Sequence, residues 1–373
     1  MKYYIISGEA SGDLHGSNLI KELKKIDTSA DFRCWGGDLM IQQGVKLVKH
    51  IRELAFMGFV EVLMNIRTIK KNFKFCYKDI NEYQPDVLIL IDYPGFNLRV
   101  AEYAKAKGIK VFYYISPQVW AWKQSRVHKI KKFVDRMFVI LPFEKDFYTK
   151  FDYDVDFVGH PLLDAIEDNL QTKISYSDFI VDNKLENKPI ITLLPGSRKQ
   201  EIKRKLPIML SIVSHYKDYQ FIVAGAPSID IEYYRSIITG DNIKIITGKT
   251  YELLQQSTAA LVTSGTATLE TALFEIPEIV CYRSGSLSFH IAKKLVKVKY
   301  ISLVNLIMDK LVVTELIQKD LNTNKLKQEL DKILNNKKHL EALNADYKEL
   351  KNKLGGSGAS QRTAELMIKY LQN

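Results

Sequence analysis

The strongest constraint in this chain is an alternation: short apolar runs closed by Gly, Pro or polar residues, each followed by a longer amphipathic or charged stretch. Val87–Ile91 is the purest of these runs. Others are Tyr3–Ile6, Val111–Ile115, Met137–Ile140, Ile190–Leu194, Gln220–Ala224, Lys244–Ile246, Ala259–Val262 and Glu278–Tyr282. Runs with no polar face suit strands buried on both sides, and strand–loop–helix repetition builds parallel, doubly wound sheets. The pattern restarts after a less regular region at about 161–188, where Gly159-His160-Pro161 and a polar stretch interrupt it. A chain of 373 residues also exceeds one ordinary core. The expected fold is therefore α/β: two Rossmann-like, doubly wound parallel-sheet domains facing a cleft, over 1–165 and 166–345. Residues 346–373 form a C-terminal helical segment, with a helix at Gln361–Leu371 after the break at Gly355-Gly356-Ser357-Gly358. Ligands of such sheets gather at the carboxyl ends of the strands.

Composition excludes several classes. No apolar stretch approaches the roughly 20 residues of a membrane span, and Glu9 interrupts the N-terminus before a signal-peptide core could form. Cys34, Cys76 and Cys281 show no Cys-x-x-Cys spacing, so the expected compartment is the cytoplasm, without a disulfide or metal framework. A net charge of +11 calls for an anionic partner: nucleic acid, lipid headgroups or phosphorylated substrates.

In the second half, the run Ile190–Leu194 ends in Pro195-Gly196-Ser197-Arg198 before a basic helix. Gly196 lets a phosphate approach the backbone, while Ser197, the helix amides and Arg198 can hold it. A second such turn, Ser264-Gly265-Thr266, follows Ala259–Val262 and opens another helix. Glu270, one turn in, can take two ribose hydroxyls. Two phosphate-type loops favour a nucleotide diphosphate over two plain βα turns.

In the first half, Ser7-Gly8-Glu9-Ala10-Ser11-Gly12-Asp13 follows the first strand but lacks Gly-x-Gly-x-x-Gly spacing, which disfavours a dinucleotide cofactor. Ser11 or Asp13 can serve as N-cap, which leaves Glu9 to face the cleft. Asp92 ends the run Val87–Ile91, and Asn97 is placed to cap the following helix. Asp92 is then free to act as a general base with a raised pKa. Trp120 and Trp122, off another strand end, suit either core packing or a sugar face, and Arg126 on the basic helix after them suits a phosphate. Finally, Phe56, Met57, Phe59, Val62, Leu63 and Ile66 form an apolar stretch with a basic flank, which reads as a lipid-facing patch or as an ordinary packed helix.

Together the motifs Ser-Gly-Glu-Ala-Ser-Gly-Asp (7–13), Glu-Leu-Ala-Phe-Met-Gly-Phe-Val-Glu-Val (53–62), Ser-Pro-Gln-Val-Trp-Ala-Trp (116–122) and Leu-Pro-Phe-Glu-Lys (141–145) resemble those of lipid-A-disaccharide synthases. So do Leu-Leu-Pro-Gly-Ser-Arg (193–198), Ser-Gly-Thr-Ala-Thr-Leu-Glu (264–270) and Tyr-Ile-Ser-Leu-Val-Asn-Leu (300–306), in order along most of the chain. The resemblance implies a GT-B-type inverting glycosyltransferase. It would move 2,3-diacylglucosamine from UDP-2,3-diacylglucosamine to 2,3-diacylglucosamine 1-phosphate, giving the β-1,6 disaccharide 1-phosphate and UDP. It also implies a cytoplasmic enzyme, peripheral on the inner face of the inner membrane of Gram-negative cells, in lipid A and lipopolysaccharide synthesis. By motif, Asp92 matches the family's proposed base, and Arg198, Glu270 and Asn305 match nucleotide-side residues. Val304 stands where the family commonly has Pro, which loosens the expected loop around Asn305. The last helix is implied to cross back or to exchange between protomers, a homodimer being compatible with this.

No cofactor and no metal are expected: the UDP-sugar is a substrate, and Arg198 with the amides near Gly265 serves the leaving group. Asp152-Tyr-Asp154 and Asp154-Val-Asp156 match an Asp-x-Asp metal motif only formally, in an acidic run away from both loops. Two other readings are a UDP-N-acetylglucosamine 2-epimerase on the same scaffold and a basic RNA- or membrane-binding protein with a vestigial nucleotide fold. With the transferase reading, no nucleic-acid partner is expected.

Overall fold

Thirteen strands form two parallel sheets in a computed structural model that describes residues 1–54, 66–170, 174–238, 240, 243–285, 289 and 298–372. The first sheet uses β1 (Lys2–Ile6), β2 (Asp31–Gly36), β3 (Lys46–His50), β4 (Val87–Ile91), β5 (Lys110–Tyr114), β6 (Arg136–Val139) and β7 (Asp156–Phe157), in the order β3-β2-β1-β4-β5-β6-β7. The second uses β8 (Ile190–Leu194), β9 (Gln220–Gly225), β10 (Lys244–Thr247), β11 (Ser257–Thr263), β12 (Glu278–Tyr282) and β13 (Thr314–Ile317), in the order β10-β9-β8-β11-β12-β13. Both sheets run outward from their first strand, then jump back to its other side. The order reverses between β1 and β4 in one sheet and between β8 and β11 in the other. At such switch points the loops after adjacent strands diverge and leave a crevice for a ligand.

The central strands are the runs that the sequence marks most clearly. β4 and β8 are buried throughout, since helices cover both faces of each sheet. The outer strands β2, β3, β7 and β13 carry polar residues at partly open positions, and no apolar run announces them. The region read as irregular holds two helices, Leu162–Leu170 and Tyr176–Asp182, the second capped by the Ser175 hydroxyl. The helical stretch after Asn322 breaks at Asn336, whose side chain accepts the His339 amide at 3.0 Å and starts a second helix, Lys337–Lys353.

The chain divides into two compact units: 1–164 with 354–373, and 165–353. The last helix, Ala359–Gln372, packs on the first, Ala10–Ile26. Asp164 caps it, accepting the amides of Gly358 (2.6 Å), Ser360 (3.1 Å) and Ala359 (3.3 Å). Arg362 braces the preceding turn by donating to the carbonyls of Val158, Ser357, Gly355 and Gly356. Among the described residues no helix is long and apolar enough to cross a membrane.

Candidate active site

In the first unit the switch point places Glu9 just past β1 and Asp92 just past β4. Glu9 is the N-cap residue of helix Ala10–Ile26, with an extended backbone and no side-chain cap bond. Ser11 is an exposed first-turn residue. Asp13 is not the cap expected from sequence: it is buried and accepts the amides of Gly37 (2.7 Å), Leu39 (3.0 Å) and Met40 (3.1 Å). Three amides at the start of the short helix Asp38–Gln42 satisfy this carboxylate better than its own helix end could.

Asp92 and Tyr93 both have left-handed backbones, with φ of +43° and +49°. Non-glycine residues there are uncommon, and the strain persists only where the surroundings impose it. The Asp92 carbonyl accepts the Tyr113 hydroxyl (2.5 Å) and the Asn97 amide (2.7 Å). Asn97 also donates to the Ile91 carbonyl at 3.2 Å. Gly8 leaves room for the Tyr93 ring, with which any Cβ would collide. Asn97 is therefore not the helix cap expected from sequence. The helix begins earlier, at Pro94, and the amide turns inward to hold the strand ends.

Burial raises the Asp92 carboxyl pKa to about 7; the negative Glu9 adds to the rise and a bond from the Tyr93 amide opposes it. The residue keeps part of its surface open, so the proton can exchange. Trp120 is buried and packs edge-on against Phe143, which makes it a core residue; Trp122 is 46% exposed. Lys123 and Arg126 lie over the Trp122 ring at 4.8 Å and 5.3 Å. Arg126 is half-buried, and its charge also reaches the Tyr113 hydroxyl that holds Asp92. Sequence reasoning passed over Glu144, a buried carboxyl raised to about 7 by burial, which accepts the Leu141 amide at 3.0 Å. Its only signal is Pro142 followed by Glu at the third helical position.

In the second unit the loops after β8 and β11 leave neighbouring strands. Ser197 and Arg198 are exposed, and Arg198 stands at the N-cap of helix Lys199–Leu210. Gly265 has φ +146°, a conformation that a side chain would strain, and opens helix Thr266–Leu273. The first amides of such a helix have no acceptor within it. Ser264 donates to the Ile301 carbonyl at 2.8 Å, and Thr266 is exposed at the helix start. Glu270 accepts the Tyr251 hydroxyl at 3.3 Å, and burial raises its pKa.

Asn305 departs from the expected nucleotide contact. It is fully buried; its amide donates to the Val313 carbonyl (2.9 Å) and Glu315 (2.9 Å), and its oxygen accepts the amides of Val312 (2.8 Å) and Val313 (2.9 Å). Two donors and two acceptors are all that a side-chain amide has, so Asn305 braces a loop and offers no ligand contact. Glu315, which sequence did not suggest, also takes the amides of Ile301 and Ser302. Despite Val304, the segment is thus tied down, and Ser264 joins it to the phosphate loop. Five residues of the lipid patch, Phe56, Met57, Phe59, Val62 and Leu63, lie outside the described residues, and Ile66 opens helix Ile66–Tyr83.

Each unit thus assembles its own cluster: Glu9, Asp92 and Arg126 in the first, and Gly196, Ser197, Arg198, Ser264, Gly265, Thr266 and Glu270 in the second. The family model described as lipid-A-disaccharide synthetase matches residues 3–369. The chain belongs to the lipid-A-disaccharide synthase family. Lipid-A-disaccharide synthases of Geobacter metallireducens and Syntrophus aciditrophicus are 38% and 39% identical to it, over 98% and 99% of this chain and 96% and 97% of theirs. That of Coxiella burnetii is 36% identical over 97% of this chain and 96% of its own. Among solved structures, the UDP-GlcNAc 2-epimerase of Neisseria meningitidis bound to UDP-GlcNAc superposes with a TM-score of 0.70 at 14% identity, covering 99% of this chain and all of that one. The glycotransferase of kitacinnamycin gives 0.65 at 12% identity, covering 99% of this chain and 98% of that one. These likenesses establish the GT-B-type fold alone. The full-length relatives decide the family, so the epimerase and RNA-binding readings fall away. The lipid-A-disaccharide synthase family is one of glycosyltransferases.

Proposed function

We propose that the chain transfers 2,3-diacylglucosamine from UDP-2,3-diacylglucosamine to the 6-hydroxyl of 2,3-diacylglucosamine 1-phosphate, with inversion. Asp92 takes the hydroxyl proton, and the oxygen attacks the anomeric carbon. The bond from that carbon to the β-phosphate oxygen breaks, its electron pair leaving with UDP. Arg198 and the amides at Gly265 and Thr266 meet the charge that develops on the diphosphate. Glu270 takes the ribose hydroxyls, Gly196 and Ser197 admit the phosphates, and Arg126 beside Trp122 suits the acceptor phosphate. The observation that carries the mechanism is Asp92: a carboxyl at a switch point, held in a strained backbone and raised to about 7. A base matched to neutral pH is worth about 10²- to 10⁴-fold in rate.

The work is done at the inner face of the inner membrane, a reading supported by the net charge of +11 and by the apolar segment around Phe56–Ile66. The test is to incubate the protein with both sugars in detergent, follow UDP release and identify the disaccharide 1-phosphate by mass. Asp92→Asn should keep UDP binding and lose turnover. Near-normal turnover in a folded variant overturns the base assignment.

A further inference from the structure

Helix Lys199–Leu210 presents Lys199, Lys203 and Arg204 to solvent but turns Lys205 inward, where it is 3% exposed. A lysine is almost never buried to that degree without a partner. Its ammonium donates to the Thr263 hydroxyl, and one oxygen of Glu201 stands 3.9 Å away, an ion contact beyond hydrogen-bond reach. An ammonium has three N–H donors; among the described residues the Thr263 oxygen is the acceptor it reaches.

These two partners tie it to the two phosphate loops. Thr263 is the last residue of β11, directly before Ser264-Gly265-Thr266. Glu201 packs its other contacts onto the first loop: the same oxygen lies where a Cβ of Gly196 would stand, and its second oxygen faces Arg198 at 3.4 Å. The charge of Lys205 therefore sits behind both loops, in a place where low polarisability strengthens its action on an anion.

We propose that Lys205 is a further phosphate-binding residue of the donor site, a buried ammonium that joins the loops after β8 and β11 and gives its spare donors to a nucleoside diphosphate seated on them. The assignment rests on the reading of this unit as the UDP-sugar site. Burial lowers the Lys205 pKa, with Glu201 opposing the shift; an arriving diphosphate relieves that cost, as a buried cation gains most from an anion it can reach.

The test compares UDP and uridine binding to the full-length chain by calorimetric titration or competition, for wild type, Lys205→Met and Lys205→Arg, with thermal unfolding as the check of folding. One or two charge-assisted hydrogen bonds correspond to about a 10- to 100-fold change in affinity. Lys205→Met should weaken UDP by that factor and leave uridine within about twofold, and Lys205→Arg should recover most of the loss. If Lys205→Met does not fold, Lys205→Gln is read in the same way. Unchanged UDP affinity, or parallel loss of UDP and uridine, overturns the proposal and makes Lys205 a brace of the fold. A wild-type chain that does not prefer UDP to uridine overturns the donor-site reading, a result distinct from either of these.

Discussion

Replacing Asp92 with Asn should stabilise the protein in a pH-dependent way while removing its activity. Asn tolerates the left-handed backbone as well as Asp does, so the substitution removes an ionisation without adding strain. The folded-state pKa of Asp92 is about 7 against an ordinary 3.8. The folded state therefore holds its proton more tightly than the unfolded state. Its contribution is fully present below 3.8 and is lost as pH rises toward 7. A shift of about three units sets a ceiling of about 4 kcal/mol on that loss. The difference in unfolding free energy between variant and wild type should thus be flat below about pH 4 and grow between 4 and 7. Above 7 it should level off. Urea unfolding across pH 4.5–8.5 reads this slope, and any constant offset from altered hydrogen bonds drops out. In the wild type, kcat/KM should fall about tenfold for each pH unit below 7, because only the carboxylate accepts a proton. A stability difference independent of pH would show that Asp92 titrates like an exposed aspartate and would refute the reasoning. So would a rate that stays flat down to pH 5.

Asn305→Ala strips two buried amides and two acceptors of their partner at once, and should cost about 2–4 kcal/mol in urea unfolding; a loss below about 1 kcal/mol would mean that water replaces the network. The buried rings of His15 and His160, lowered by burial to about 4 and 3, stay neutral in the folded protein. Because the unfolded chain takes up protons first, stability should fall as pH drops from about 6.5 through the folded-state values. His15→Leu with His160→Asn should flatten that acid limb, and an unchanged limb would exclude these rings as its cause.

The sequence made the centre of each sheet legible because strands buried on both faces are built almost wholly from apolar residues. Val87–Ile91 and Ile190–Leu194 coincide with β4 and β8 to the residue. The rims were illegible for the opposite reason. Lys46-Leu47-Val48-Lys49-His50 forms an edge strand whose side chains stay partly open, and β7 is only two residues long. Charge on an edge discourages pairing with another chain and at the same time erases the apolar signal.

At the site, legibility followed sequence distance. A strand end, a glycine turn and a helix start are contiguous, so Asp92, Gly196 and Gly265 could be read from their neighbours. Roles set by remote partners could not. Asn97 sits where a helix cap would be expected, yet its amide also reaches the Ile6 carbonyl at 3.4 Å, from a strand ninety-one residues earlier. Lys205 looks like one more basic residue on a basic helix until Thr263 is brought beneath it. Asn305 shows the converse: the motif marks it as a ligand, but its four bonds to Val312, Val313 and Glu315 exhaust its capacity. What separates a binding residue from a brace here is whether hydrogen-bonding capacity remains after folding. Asp92 meets that criterion differently from Asn305. Its carbonyl is committed to Tyr113 and Asn97, which fixes the backbone, and its carboxyl is left with a raised pKa that the negative Glu9 helps to maintain. The group we propose as the base is the one whose backbone is over-determined and whose side chain is not.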